Sequence, residues 1–144
     1  MKLKQLSIVL ENNPARLTHP CKALADAGID ILTISLADTG DSGTLRVIVP
    51  EWQRAQKALE TAGCSVSVTD VLAIEVPDRP GGLMGILTVL EPSKLRLEYL
   101  YAFKLKFGKN AVMIARFDDP DGAIKALQEN GVSVLKPVTF YECA

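Results

Sequence analysis

Histidine is nearly absent from this sequence, with His19 its single copy. That removes most chemistry built on paired imidazoles. Cysteine is scarce and odd in number: Cys21, Cys64 and Cys143 stand at no metal-ligand spacing. They read as small, buried or half-buried thiols of a reducing compartment, which points to a cytoplasmic protein. Cys21 falls near a predicted helix start, a setting that lowers a thiol pKa. The imidazole of His19, two positions away on the same helix, points in another direction, so no Cys–His pair is expected. Charge of one sign is also missing: 16 basic residues face 17 acidic ones, for a net charge of -1. No broad basic face is therefore available for nucleic acid or an anionic membrane. Every apolar run is broken by charge or proline well before the ~18 residues that a membrane-spanning helix needs. The start, Met1 to Gln5, leads straight into strand-like sequence and not into a signal-peptide core. Serine elbow, H-E-x-x-H, Walker loop, dinucleotide fingerprint and a meaningfully spaced carboxylate pair are all lacking. No catalytic residue, metal site or cofactor is expected, and the chain is not expected to be an enzyme.

What is present is globular in composition, with 48% apolar and 23% charged residues over 144 positions. That length suits one ordinary domain or two very small ones. Leu3 to Leu10 alternates in part and reads as a strand. Asn12-Asn13-Pro14 marks a turn, with Asn13 as N-cap and Pro14 at the first helical position. Leu17, Cys21, Leu24 and Ala25 keep the spacing of one helix face, and Gly28 closes that helix. Ile29–Ala37 and Thr44–Val49 read as two strands around the Thr39–Gly43 turn. A helix from Pro50 to Ala62 and a strand over Ser65–Thr69 follow. The order is β-α-β-β-α-β.

The same order then starts again. Val71–Val76 is a strand, Leu83–Leu90 a helix that Pro92 stops. Leu95 to Phe107 alternates as a long strand with one buried face. Phe107-Gly108-Lys109-Asn110 turns the chain into a strand over Ala111–Phe117. Pro120–Asn130 is a helix, and Val132–Tyr141 supplies a last strand. The repeat is also visible directly. Lys57–Val66 (KALETAGCSV) and Lys125–Val134 (KALQENGVSV) share six of ten residues at an offset of 68. Each unit, 1–69 and 70–144, is expected to form a ferredoxin-like α+β sandwich. A unit this small would be marginal alone, and its edges and open face need cover.

Two loops stand in equivalent places: Asn12-Asn13-Pro14-Ala15-Arg16-Leu17 and Asp78-Arg79-Pro80-Gly81-Gly82-Leu83. Each joins the end of a strand to a helix N-terminus, where free backbone N–H groups and the dipole favour an anion. Gly81 and Gly82 would let a ligand approach the backbone closely. A carboxylate suits the N–H groups, and an ammonium could meet Asp78, Asn12 or Asn13. The plain alternative is a tight turn and a simple cap. Arg16 and Arg79 could pair with a carboxylate or simply be solvated. Tyr99 and Tyr101 lie on the apolar side of their strand and read as core before ligand platform. Glu98, on the other side, reads as an exposed sheet residue. Trp52 reads as edge packing, and His19 as a surface residue.

Two β-α-β-β-α-β units, each with a strand–polar turn–proline–helix junction, resemble ACT domains, small regulatory modules that commonly bind amino acids. Pro77–Leu83 is similar to the family's D-x-P-G-x-L junction. Lys57–Val66 and Lys125–Val134 are similar to its second helix and fourth strand. The resemblance spans essentially the whole chain. It implies two units paired side by side into one eight-stranded antiparallel sheet, helices on one face, with ligand at the strand–helix loops between units. Carried over, the ligand-binding residues would be Asn12, Asn13, Pro14, Ala15, Arg16 and Leu17, and Asp78, Arg79, Pro80, Gly81, Gly82 and Leu83. Asn12 and Ala15 depart from the pattern, so the Gly81-Gly82 loop is expected to be the stronger site. The implied function is a regulatory protein that binds an amino acid or similar small carboxylate, as a homodimer, with a metabolic enzyme as possible partner. Two rivals are an acylphosphatase-like hydrolase, weakly echoed by Arg16 with Asn12 or Asn13, and an assembly module whose loops bind nothing.

Overall fold

Buried apolar residues gather into two separate cores, one in each half of the chain. The computed structural model describes residues 1–104 and 110–144. It divides into two compact units, Lys4–Thr69 and Asp70–Ala144 together with Met1–Leu3. The expected turn at Phe107–Asn110 and strand positions Leu105 and Phe107 lie outside the described residues, Asn110 apart.

The first unit draws on β1 (Leu3–Leu10), α1 (Thr18–Asp26), β2 (Thr33–Asp38), β3 (Gly43–Ile48), α2 (Trp52–Thr61) and the start of β4 (Val66–Pro77). Strand β3 lies antiparallel between β1 and β2, with Ile8 and Leu36 both opposite Leu45. Alternation in β1 buries Leu6, Ile8 and Leu10 and leaves Val9 exposed. Leu24 from α1 and Ala55 and Leu59 from α2 close that core, with Trp52 and both half-buried thiols, Cys21 and Cys64, packed against it. Each fully buried leucine or isoleucine stabilises the unit by roughly 1.5–3 kcal/mol.

Helix α1 begins at Thr18, four residues later than Pro14 suggested. The Asn13 side chain accepts the Ala15 N–H at 2.9 Å, and its carbonyl accepts the Arg16 N–H at 3.2 Å. Those local bonds hold Asn13–Arg16 as a turn in competition with helix. Asn13 therefore does not cap α1, and Pro20 is the proline buried in its first turn.

The second unit contains the rest of β4, α3 (Gly82–Leu90), a single 3-10 turn at Glu91–Ser93, β5 (Leu97–Lys104), β6 (Asn110–Phe117), α4 (Pro120–Glu129) and α5 (Pro137–Cys143). Strand β6 pairs antiparallel with β4 and β5, with Met113 opposite Ile74 and Ile114 opposite Tyr101. Leu72, Ile74, Ile86, Leu90, Met113, Phe117 and Leu127 form its core. Along β5, Tyr99, Tyr101 and Phe103 are half-buried while Glu98 and Leu100 are exposed, the alternation read from sequence.

The expected eight-stranded sheet is not formed. Among the described residues the sheet has six strands, in the order β2-β3-β1-β4-β6-β5. Two local features account for the difference. No glycine or proline separates Ser65–Thr69 from Val71–Val76, so the two expected strands run on as the 12-residue β4. At the other end, Pro137 cannot donate to a ladder and its fixed φ suits the first turn of a helix. The expected last strand thus shrinks to a bridge between Ile74 and Val134, and the chain continues as α5. Lys136, just before the proline, is extended (φ -71°, ψ 151°), as that position requires.

Candidate functional site

In the first unit, the end of β1, the turn after it and the α2–β4 connection meet at one place. The Val9 N–H donates to the Ser65 carbonyl at 3.0 Å, which brings Gly63–Ser65 beside Ile8–Glu11. The first turn of α1 lies over that junction. Together they line a cavity of about 380 Å³ with Ile8, Val9, Leu10, Glu11, Asn13, Ala15, Arg16, His19, Pro20, Gly63, Cys64 and Ser65. The volume lies within the roughly 300–1,000 Å³ typical of small-molecule sites. Apolar residues share the lining with a few polar groups.

Those polar groups are held in place. The Asn13 amide donates to Glu11 Oε2 at 3.1 Å. His19 Nε2 lies 2.8 Å from the Ala62 carbonyl, which can only accept, so Nε2 carries the proton. The Arg16 guanidinium donates from Nη2 to Asp38 Oδ2 at 2.7 Å, and Asp38 Oδ1 accepts the Gly40 N–H at 2.8 Å. The Arg16 bond, followed by that of Gly40, holds the Asp38 carboxyl below the usual range. Burial, followed by the neighbouring Glu11 carboxylate, pushes the Cys64 thiol up, so Cys64 stays protonated.

The second loop is built differently. Pro77, Asp78 and Arg79, with Asn110, line an open depression of about 500 Å³. Asp78 is paired with Lys104 at 3.0 Å, and the Asn110 amide donates to Glu75 at 3.0 Å. Gly81 has φ +84°, a left-handed backbone that favours glycine. Gly82 is buried, and a Cβ there would stand 2.0 Å from the Pro77 carbonyl oxygen. Its missing side chain makes room for the chain's own backbone, and its N–H is bonded to the Arg79 carbonyl at 3.0 Å.

Of the twelve residues named from sequence, Asn13, Ala15 and Arg16 line the first cavity, and Asp78 and Arg79 line the depression. Asn12, Pro14 and Leu17 are exposed beyond the cavity lining, and Pro80, Gly81, Gly82 and Leu83 lie outside the depression's lining. Glu11, Cys64 and Ser65 are not among the site residues expected from sequence; His19 is an exposed helix residue, as expected, and also lines the cavity. Their signal was topological: a β-α-β-β-α-β unit places its last strand beside its first, which brings Cys64-Ser65 to the end of β1. Among the described residues no group of three His, Cys, Asp or Glu side chains could hold a metal ion. No described helix is long and apolar enough to cross a membrane.

A cavity of this size with a few convergent polar groups is the kind of site that binds a small molecule. The comparisons make the class specific. The family model of the ACT domain pair matches residues 1–141, and the chain belongs to that family of ligand-binding regulatory domains. The crystal structure of protein BT0572 from Bacteroides thetaiotaomicron is 35% identical, covers 98% of this chain and 96% of its own, and superposes with a TM-score of 0.90. The ligand-free regulatory subunit of aspartate kinase from Thermus thermophilus is similar in fold, with 16% identity, 88% and 90% coverage and a TM-score of 0.59. The corresponding subunit from Thermus flavus gives 15% identity, the same coverages and a TM-score of 0.58. No curated protein matches the sequence.

Proposed function

We propose that the protein is an amino-acid-binding regulatory protein whose ligand occupies the first-unit cavity. One observation carries the reading: a cavity of about 380 Å³ is lined by one carboxylate, Glu11, and one guanidinium, Arg16. A zwitterion offers an ammonium to the first and a carboxylate to the second, and its side chain meets Ile8, Leu10 and Pro20. The Asp78–Leu83 loop is proposed as the other ligand-facing loop. The chain acts in the cytoplasm, as a homodimer, and the regulated party is a separate metabolic enzyme. Support for that last step is the fold shared with regulatory subunits of aspartate kinase. Ligand would act by binding one of two states more tightly than the other.

The acylphosphatase-like alternative is less well supported. Arg16 and Asn13, its candidate cradle, are each bonded to a carboxylate, Asp38 and Glu11. Two such neighbours repel a polyanionic phosphoryl group more than a monoanionic carboxylate.

The test is a thermal-shift screen of the purified chain against the proteinogenic amino acids at millimolar concentration. One of them should raise the melting temperature. Glu11→Gln should weaken its binding about tenfold, a loss of ~1.4 kcal/mol. Asp78→Asn reports on the second loop in the same assay. A melting temperature unmoved by every amino acid would sink the reading and leave the assembly module in its place.

A further inference from the structure

We infer that Asp38 and Gly43 position Arg16 as the group that recognises a ligand carboxylate in the first-unit cavity. This deepens the ligand-binding reading above and rests on it. Backbone N–H groups at the helix start were the anion site suggested by sequence. In the structure the N–H groups of Ala15 and Arg16 are taken by Asn13 and that of His19 by the Ala15 carbonyl at 2.9 Å, and Pro20 has none to offer. Helix α1 also begins only at Thr18. Anion recognition therefore passes to a side chain, and among the described residues Arg16 is the one lysine or arginine in the cavity lining.

An arginine on a free stem loses much rotamer freedom when a ligand fixes it. Arg16 is fixed beforehand. Its Nη2 donates to Asp38 Oδ2 at 2.7 Å, and Asp38 is itself held by the Gly40 N–H at 2.8 Å. On the other flank the guanidinium lies against the bare Cα of Gly43, where an added Cβ would stand 3.3 Å from Nη1. Asp38 is not part of the cavity lining, so the bond that anchors Arg16 does not occupy the ligand's place. The guanidinium has five N–H donors in a rigid fork, and the Asp38 bond engages Nη2. Ordering the recogniser before the ligand arrives removes that ordering cost from binding. Asp38 and Gly43 act through Arg16 and are positioning residues.

The experiment uses the full chain, nitrogen-15 labelled, with acetate as probe and acetamide as its uncharged control. Acetate should shift the Arg16 Nε–H signal of the wild type, and acetamide should not. Asp38→Asn should weaken acetate binding about tenfold, and Asp38→Glu should restore part of it. Gly43→Ala should weaken binding in the same direction and serves if Asp38→Asn folds poorly. Acetate binding by Asp38→Asn as tight as in the wild type, or tighter, would overturn the inference, as would an Arg16 signal that acetate leaves unmoved. Amino acids that stabilise wild type and Asp38→Asn alike would refute the positioning role and leave the ligand-binding reading standing. Acetate behaving as expected while no amino acid binds would do the reverse.

Discussion

Arg16 and Asp38 show how much one exposed ion pair can organise without contributing much stability. Surface pairs are worth little in folding energy, and Asp38 is partly solvated. The pair still leaves a pH signature. Arg16 first, and the Gly40 N–H second, lower the Asp38 pKa in the fold. The associated stabilisation is complete above the ordinary carboxylate pKa, near ~3.9, and is lost as pH falls through the depressed folded value. The Asp38 carboxyl carbon should titrate below a free aspartate in NMR, and Arg16→Leu should move its midpoint up. Cys64 has the opposite sign. Its thiol is pushed up by burial and by Glu11, so it should react with a disulfide reagent much more slowly than exposed Cys143. Equal rates at the two thiols would contradict that burial. The two loop glycines are also separable. Gly81→Ala forces a left-handed residue and should cost ~1–2 kcal/mol without touching the first-unit cavity. Gly82→Ala meets the Pro77 carbonyl and should cost at least as much, about 1–3 kcal/mol. Urea denaturation of both variants measures this.

At the scale of elements, α5 departs most from the sequence reading. Alternating residues over Val132–Tyr141 resemble a strand, and the repeat encourages that, because Ser133-Val134 matches Ser65-Val66. The match ends at Val134, and Pro137 then stands where the first half has Thr69. Helix α5 is anchored by Phe140, which is 1% exposed and stacks edge-on with Phe103 at 6.2 Å between ring centres. Phe140→Ala should destabilise the second unit by about 3–5 kcal/mol in chemical denaturation. A change under ~1 kcal/mol would mean that α5 is an appendage and not part of the fold. The two strands expected on either side of Asp70 depart in the other direction, by merging into β4. A turn needs a breaker, and Val66–Val76 contains neither glycine nor proline, so strand propensity carries through.

For the whole molecule, near-neutral charge and membership of the ACT domain pair family bear on the same question of what it responds to. Ligand that binds only the folded chain must stabilise it by mass action, by ~2.7 kcal/mol at a hundredfold excess over Kd. For a chain of this length that is a rise in Tm on the order of 5–10 °C. Sedimentation with and without the stabilising amino acid should show whether the proposed homodimer responds to ligand. A small net charge also means that ionic strength should alter this binding only modestly, in contrast to a nucleic-acid binder.

The sequence by itself determined the repeat, most of the helices and strands, the family resemblance and the two strand–helix loops. Those signals are local: alternation, helix-face spacing and proline or glycine at element ends act within a few residues. Tertiary structure alone decided the strand count and the contents of the cavity. Glu11 and Cys64 become neighbours only because β1 and the start of β4 lie side by side, and Arg16 is oriented by Asp38 from the β2–β3 hairpin. Such juxtapositions depend on pairing between distant segments, which no window along the chain contains. Gly82 makes the same point: it looks like room left for a ligand, and its space is taken by the carbonyl of Pro77.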